Sequence, residues 1–204
     1  MTRISYAYNG NDQRLVDAIH NATAILNSLK FRAVIEGRST NFYNTSRSCR
    51  DIAQTIFSCN ASIKITMFSK KPRFGKLTTA YVDNNIADTI FFNTYAVGRG
   101  EKANTSTIVH ETVHVVDKFH DLNTGFDFTH DGNNPYKPPQ NMDSAPYWIG
   151  NRSEDLLPLL KDQKNNNKKT LSLDVLEMAE IESALTKKNW AKDAHFLCGT
   201  KNKS

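Results

Sequence analysis

His110, Glu111 and His114 stand in the order H-E-x-x-H, in a stretch whose apolar residues recur at helical spacing. On an α-helix, histidines four residues apart lie one turn apart on one face, so both imidazoles can reach a single Zn2+ at about 2.1 Å. Glu111 projects beside them. Three protein ligands leave such an ion a fourth position for water, whose pKa then falls toward about 7, and an adjacent carboxylate becomes a general base for attack on a peptide carbonyl. Asp117 falls about 20° around the helix from His110, on the other side from His114. A carboxylate there suits a hydrogen bond to a ligand histidine or to the loop that follows, and a plain surface carboxylate at a helix end is an equal alternative.

The segment must be a helix for this geometry to exist. Asn104 to Thr107 supply N-cap residues for a helix from Ile108 to about Phe119, which Ile108, Val109, Val113, Val116 and Phe119 would bury. Upstream, Leu15, Ile19, Ala22, Ile25, Leu26 and Leu29 predict an amphipathic helix from Asp12 to Lys30, and Ile52, Ala53, Ile56 and Phe57 a shorter one from Ser48 to Ser58. The period then changes. Ala61 to Phe68, Leu77 to Val82 and Asp88 to Thr94 read as strands, followed by a loop at Gly98-Arg99-Gly100. Two helices, a small sheet and a further helix make an α+β layout.

Beyond the motif, Asp121 to Gln140 turns to Asn, Gly, Asp and Pro, the composition of a long functional loop. A short element from Ser153 to Leu160 precedes a polar run, Lys161 to Lys169, and Ser172 caps a last helix with Leu173, Leu176, Ala179, Ile181 and Leu185. The expected organisation is a domain over 1–160, a polar linker over 161–171 and a helical segment over 172–204 that packs on the same domain.

A net charge of +5, eleven Phe and seven Tyr describe a folded protein with a mildly basic surface. The Lys-rich runs carry no interleaved aromatics and no recognised nucleic-acid motif, so a nucleic-acid partner is not expected. Cys49, Cys59 and Cys198 lack C-x-x-C spacing; free thiols in a reducing compartment are expected, a Cys49–Cys59 pair being the alternative. No apolar run has the length of a signal peptide core at the N-terminus or of a membrane span elsewhere, so a soluble protein is expected.

The motif segment resembles the zincin metallopeptidases, in which the H-E-x-x-H helix supplies two ligands and the general base and a third ligand comes from downstream. More loosely, His110-Glu111-x-x-His114-x-x-Asp117, Phe128-Thr129-His130 and Ala145-Pro146-Tyr147-Trp148-Ile149-Gly150 look like a group of small bacterial peptidases. Four positions compete with His130 for the third ligand. His120 would complete the metzincin pattern, but Asp117 stands where that family has glycine. Glu154 would give a gluzincin-like arrangement, and Asp143 or Asp127 an aspzincin-like one without that family's signature. His130 is preferred because imidazole is the commonest zinc ligand and it sits in the irregular loop. Tyr147 would donate to the developing oxyanion, as tyrosines do in several zincin families, an interfacial aromatic role being the alternative; Trp148 is expected in the core. The resemblance also implies an extended peptide or protein substrate along an edge strand, for which Thr89 to Thr94 is the candidate, and is compatible with an effector delivered by a specialised secretion system. The competing class is a non-catalytic module in which zinc braces the Asp121 to Gly150 loop for protein binding.

Overall fold

The computed structural model describes residues 4–43, 45–74, 77–83, 85–120, 127–129 and 142–166, with 120 and 159–166 described by backbone alone. The chain divides between Asp162 and Gln163. The elements run β1 (Ser5–Ala7), α1 (Gln13–Leu26), α2 (Leu29–Glu36), α3 (Cys49–Ser58), β2 (Ser62–Phe68), β3 (Ala80–Asp83), β4 (Ile86–Asn93), α4 (Glu101–His120) and α5 (Ala145–Asn166), with a 3-10 turn over Thr94–Arg99 before α4. This is the expected α+β layout, in which the described residues form a mixed four-stranded sheet in the order β1-β2-β4-β3.

Period-two alternation sets the sheet's two faces. Ile63 and Ile65 of β2 and Ile90 and Phe92 of β4 are buried on one side, where α4 packs on β4 and β3 and α1 packs on α4. Each such side chain contributes about 1.5–3 kcal/mol by leaving water. β1 runs parallel to β2, and β2 to β4, while β3 runs antiparallel to β4 at the edge.

One predicted helix is two. Asn27 caps α1, its side-chain amide donating to the carbonyls of Thr23 and Ile4, and Ser28 accepts the amide of Phe31 to open α2. Two consecutive polar residues that bond to backbone thus break a stripe that apolar periodicity alone would continue. Ser48 caps α3 as expected. Helix α4 begins at Glu101 rather than Ile108, because Gly100, at φ +96, turns the chain directly from the 3-10 turn into the helix. Asn104 is therefore inside it, donating to Val97 O. Helix α5 starts at Ala145 and continues to Asn166, so the element expected from Ser153 is its middle and the start of the polar run is helical. The segment 172–204 lies outside the described residues.

Cys49 and Cys59 are free. They sit at opposite ends of α3, roughly 15 Å apart along its axis, far beyond the separation of about 7 Å or less that a disulfide requires.

Candidate metal centre

The whole H-E-x-x-H segment lies in the interior of α4, nine residues after its first turn begins at Glu101 and well before its end at His120. Ile108, Val109, Val113, Val115 and Val116 are buried along it. Phe119, expected in the same stripe, is instead 43% exposed in the last turn. Glu111 and His114 are 7% and 6% exposed, while His110 is half-buried. The His110 and His114 rings have centroids 5.1 Å apart. Two imidazoles sharing one tetrahedral zinc at about 2.1 Å have centroids roughly 5 Å apart, so the separation of this pair is compatible with two positions of such a site.

Helix α5 lies against the same face. The Tyr147 ring meets the His110 ring edge-on, with centroids 4.5 Å apart. One turn on, the helices nearly touch: a Cβ on Gly150 would stand 3.0 Å from Ser106 O and 3.1 Å from His110 Cβ. Glu154 pairs with Lys102 at 3.8 Å, so α5 runs antiparallel to α4 at this contact. It carries Glu154 toward a residue about 12 Å along the axis from His110. Trp148 packs edge-on against Phe42 at 5.5 Å, partly buried against the core as expected.

Asp117 anchors the loop. Fully buried, its carboxylate accepts the amides of Asp127, Phe128 and Thr129 at 3.1–3.3 Å and the Thr129 hydroxyl at 2.7 Å. Burial raises its pKa, and the hydroxyl and the three amides pull the other way. Of the two buried roles open in the sequence, the contacts made by the described residues are those of the loop anchor.

The remaining ligand candidates divide. Asp127 forms an ion pair with Arg47 at 2.7 Å, and Asp143 with Arg38 at 2.8 Å. His130 and the side chain of His120 lie outside the described residues. Among the described residues no group of three His, Cys, Asp or Glu stands together as a metal site.

Two supports of α4 escaped the sequence. Tyr6 of β1 reaches Thr112 at 2.6 Å, and Thr112 in turn donates to Ile108 O; nothing local to a three-residue strand announces that pairing. Gly150 precedes the element expected from Ser153 to Leu160, so its close approach to α4 was not legible locally either.

No family model, no curated protein and no solved structure matches this chain. No helix among the described residues is long and apolar enough to cross a membrane.

Proposed function

We propose that this chain is a zinc-dependent peptidase of the zincin type, with His110 and His114 as metal ligands and Glu111 as general base. The observation that carries the reading is the 5.1 Å ring separation of the two histidines on one buried helix, with Glu111 between them in sequence and itself nearly buried. A zinc ion held by His110 and His114 would supply an activated water and a Lewis-acid contact for the scissile carbonyl. Glu111 accepts the water's proton and delivers it to the leaving amine nitrogen. Tyr147, already against His110, donates its hydroxyl to the carbonyl oxygen as negative charge develops there.

His130 completes the ligand set. Its support is connectivity: Thr129, the residue before it, is held by Asp117, one turn past His114 on α4. Asp127 and Asp143 already serve arginines, and Glu154 faces Lys102.

The substrate's strand changes. β4 pairs on both sides, with β2 and β3, so it offers no edge. The antiparallel edge strand is β3, and Lys118 of α4 donates to Asp83 O at 3.2 Å, tying that strand's end to the motif helix. An extended peptide aligned on β3 by backbone hydrogen bonds fits the zincin resemblance.

Zinc content together with cleavage of an unstructured protein such as casein tests the proposal. Wild type should hold zinc and cleave, and His130→Ala should lose the metal. Zinc held by both wild type and Glu111→Gln, with cleavage by neither, would favour the zinc-braced binding module instead.

A further inference from the structure

From Ala61 to Val82 the chain has Lys64, Lys70, Lys71, Arg73 and Lys76 and no acidic residue. That segment's charge of +5 equals the net charge of the entire chain, so the remaining residues balance to zero. Lys64 pairs with Asp88 at 3.5 Å, so the segment's unbalanced positive charge lies in the loop after β2.

The same elements present aromatic rings. Side chains of β2 alternate, Ile63 and Ile65 going inward while Lys64 and Thr66 are exposed on the opposite face. On that outer face Thr66, Phe91 and Tyr81 are register partners across three strands. Tyr81 stacks on Phe91, with centroids 4.9 Å apart and planes 12° apart, and meets Phe68 edge-on at 5.2 Å. Tyr81 is 39% exposed.

The basic loop is anchored at both ends. Asn93, fully buried, accepts the amide of Lys70 and donates to the carbonyls of Lys70 and Thr78 at 2.8 and 2.7 Å. Between these points the chain projects Arg73 and Phe74. Phe74 is 90% exposed and holds φ at +52, a conformation uncommon for a residue with a Cβ, with the Arg73 guanidinium 5.5 Å over its ring.

We propose that this outer face binds single-stranded nucleic acid, bases stacking on the Phe68, Tyr81 and Phe91 row while phosphates run along Lys70, Lys71 and Arg73. The linear sequence argues otherwise, because no aromatics interleave the lysine runs. Folding brings Tyr81 of β3 and Phe91 of β4 beside Phe68, which ends β2 just before the lysines. Planar rings in a row beside a basic loop suit stacked bases and a phosphate backbone. A membrane surface would favour a wholly apolar wedge, whereas polar Thr66 and charged Lys64 share this face with the rings; an acidic peptide would use the charge and leave the rings without a role.

The test is fluorescence anisotropy of the full chain with labelled oligouridine and oligothymidine of about a dozen nucleotides, beside a duplex, a polyglutamate peptide, and vesicles of phosphatidylserine and phosphatidylcholine. Both single strands should bind more tightly than the other three, with affinity falling as salt rises at a log–log slope of about −0.7 per phosphate contacted. Preference for one strand would identify the source as RNA or DNA. Lys70→Glu with Lys71→Glu should weaken binding roughly tenfold or more, and Tyr81→Ser, checked for folding by circular dichroism, about tenfold. No binding of either strand, or equal or tighter binding of polyglutamate or vesicles, would overturn the proposal. Proteolysis is not read here, so that outcome leaves the peptidase proposal standing.

Discussion

Asp117 and Thr129 are joined twice, through the Thr129 hydroxyl at 2.7 Å and its amide at 3.1 Å, both to one oxygen of a fully buried carboxylate. Because Asp117 is one turn from His114, the contact fixes where the chain returns to the motif helix. Asp117→Ala leaves three amides and a hydroxyl to find other partners, at a cost of about 1–3 kcal/mol or more. The melting temperature should fall, and the amides of Asp127, Phe128 and Thr129 should lose hydrogen-exchange protection ahead of those in α1. Asp117→Asn, which keeps one acceptor oxygen, should fall between. Unchanged protection in Asp117→Ala would remove the anchor from the account.

Gly150 makes a sharper test of the α4–α5 contact. A methyl there meets Ser106 O at 3.0 Å and His110 Cβ at 3.1 Å, and neither backbone nor Cβ can rotate away. Gly150→Ala should destabilise by about 1–3 kcal/mol and, under the proposed function, reduce casein cleavage by displacing Tyr147 from His110. Gly98→Ala, with nothing within 4 Å of the added carbon, should stay within about 0.5 kcal/mol of wild type. Thermal denaturation of the pair measures the difference, and equal melting temperatures would contradict so close a packing.

Tyr147→Phe keeps the ring against His110 and removes only the hydroxyl. If that hydroxyl stabilises the oxyanion, kcat should drop by about 100-fold or more with KM little changed. A variant with full kcat would reduce Tyr147 to packing.

The thiols of Cys49 and Cys59 titrate above their ordinary range because burial disfavours the thiolate. A raised pKa means less thiolate at any given pH, so alkylation of both by iodoacetamide at pH 8 should be slower than that of a free cysteine peptide and should accelerate as pH rises past 9. Peptide mapping by mass spectrometry resolves the two sites. Labelling of the native protein at the peptide's rate would contradict their burial.

Long apolar stripes and alternating strands were legible: α3, β2 and β4 lie within a few residues of their expected bounds, and α1 starts where expected though it ends early. Elements stabilised by distant partners were not. β1 is three residues long and exists by pairing with β2; the break at Asn27 and Ser28 depends on side chains bonding to backbone, one of them on the carbonyl of Ile4. The motif's helix was predictable, yet its start was not, since Gly100 reads in sequence as loop punctuation while its positive φ opens α4. At the site, spacing alone brought His110, Glu111 and His114 to one helix. The edge strand could not be read this way, because sheet order is a property of the whole chain and placed β4 inside, with β3 at the rim.

The most direct test of the peptidase account is zinc content by elemental analysis, measured with casein cleavage on the same samples of wild type and Glu111→Gln. The account predicts about one zinc per chain in both proteins, cleavage by wild type, and loss of cleavage with metal retained in Glu111→Gln. A wild-type protein that takes up no zinc when it is supplied, or a Glu111→Gln variant that cleaves as fast as wild type, would contradict it.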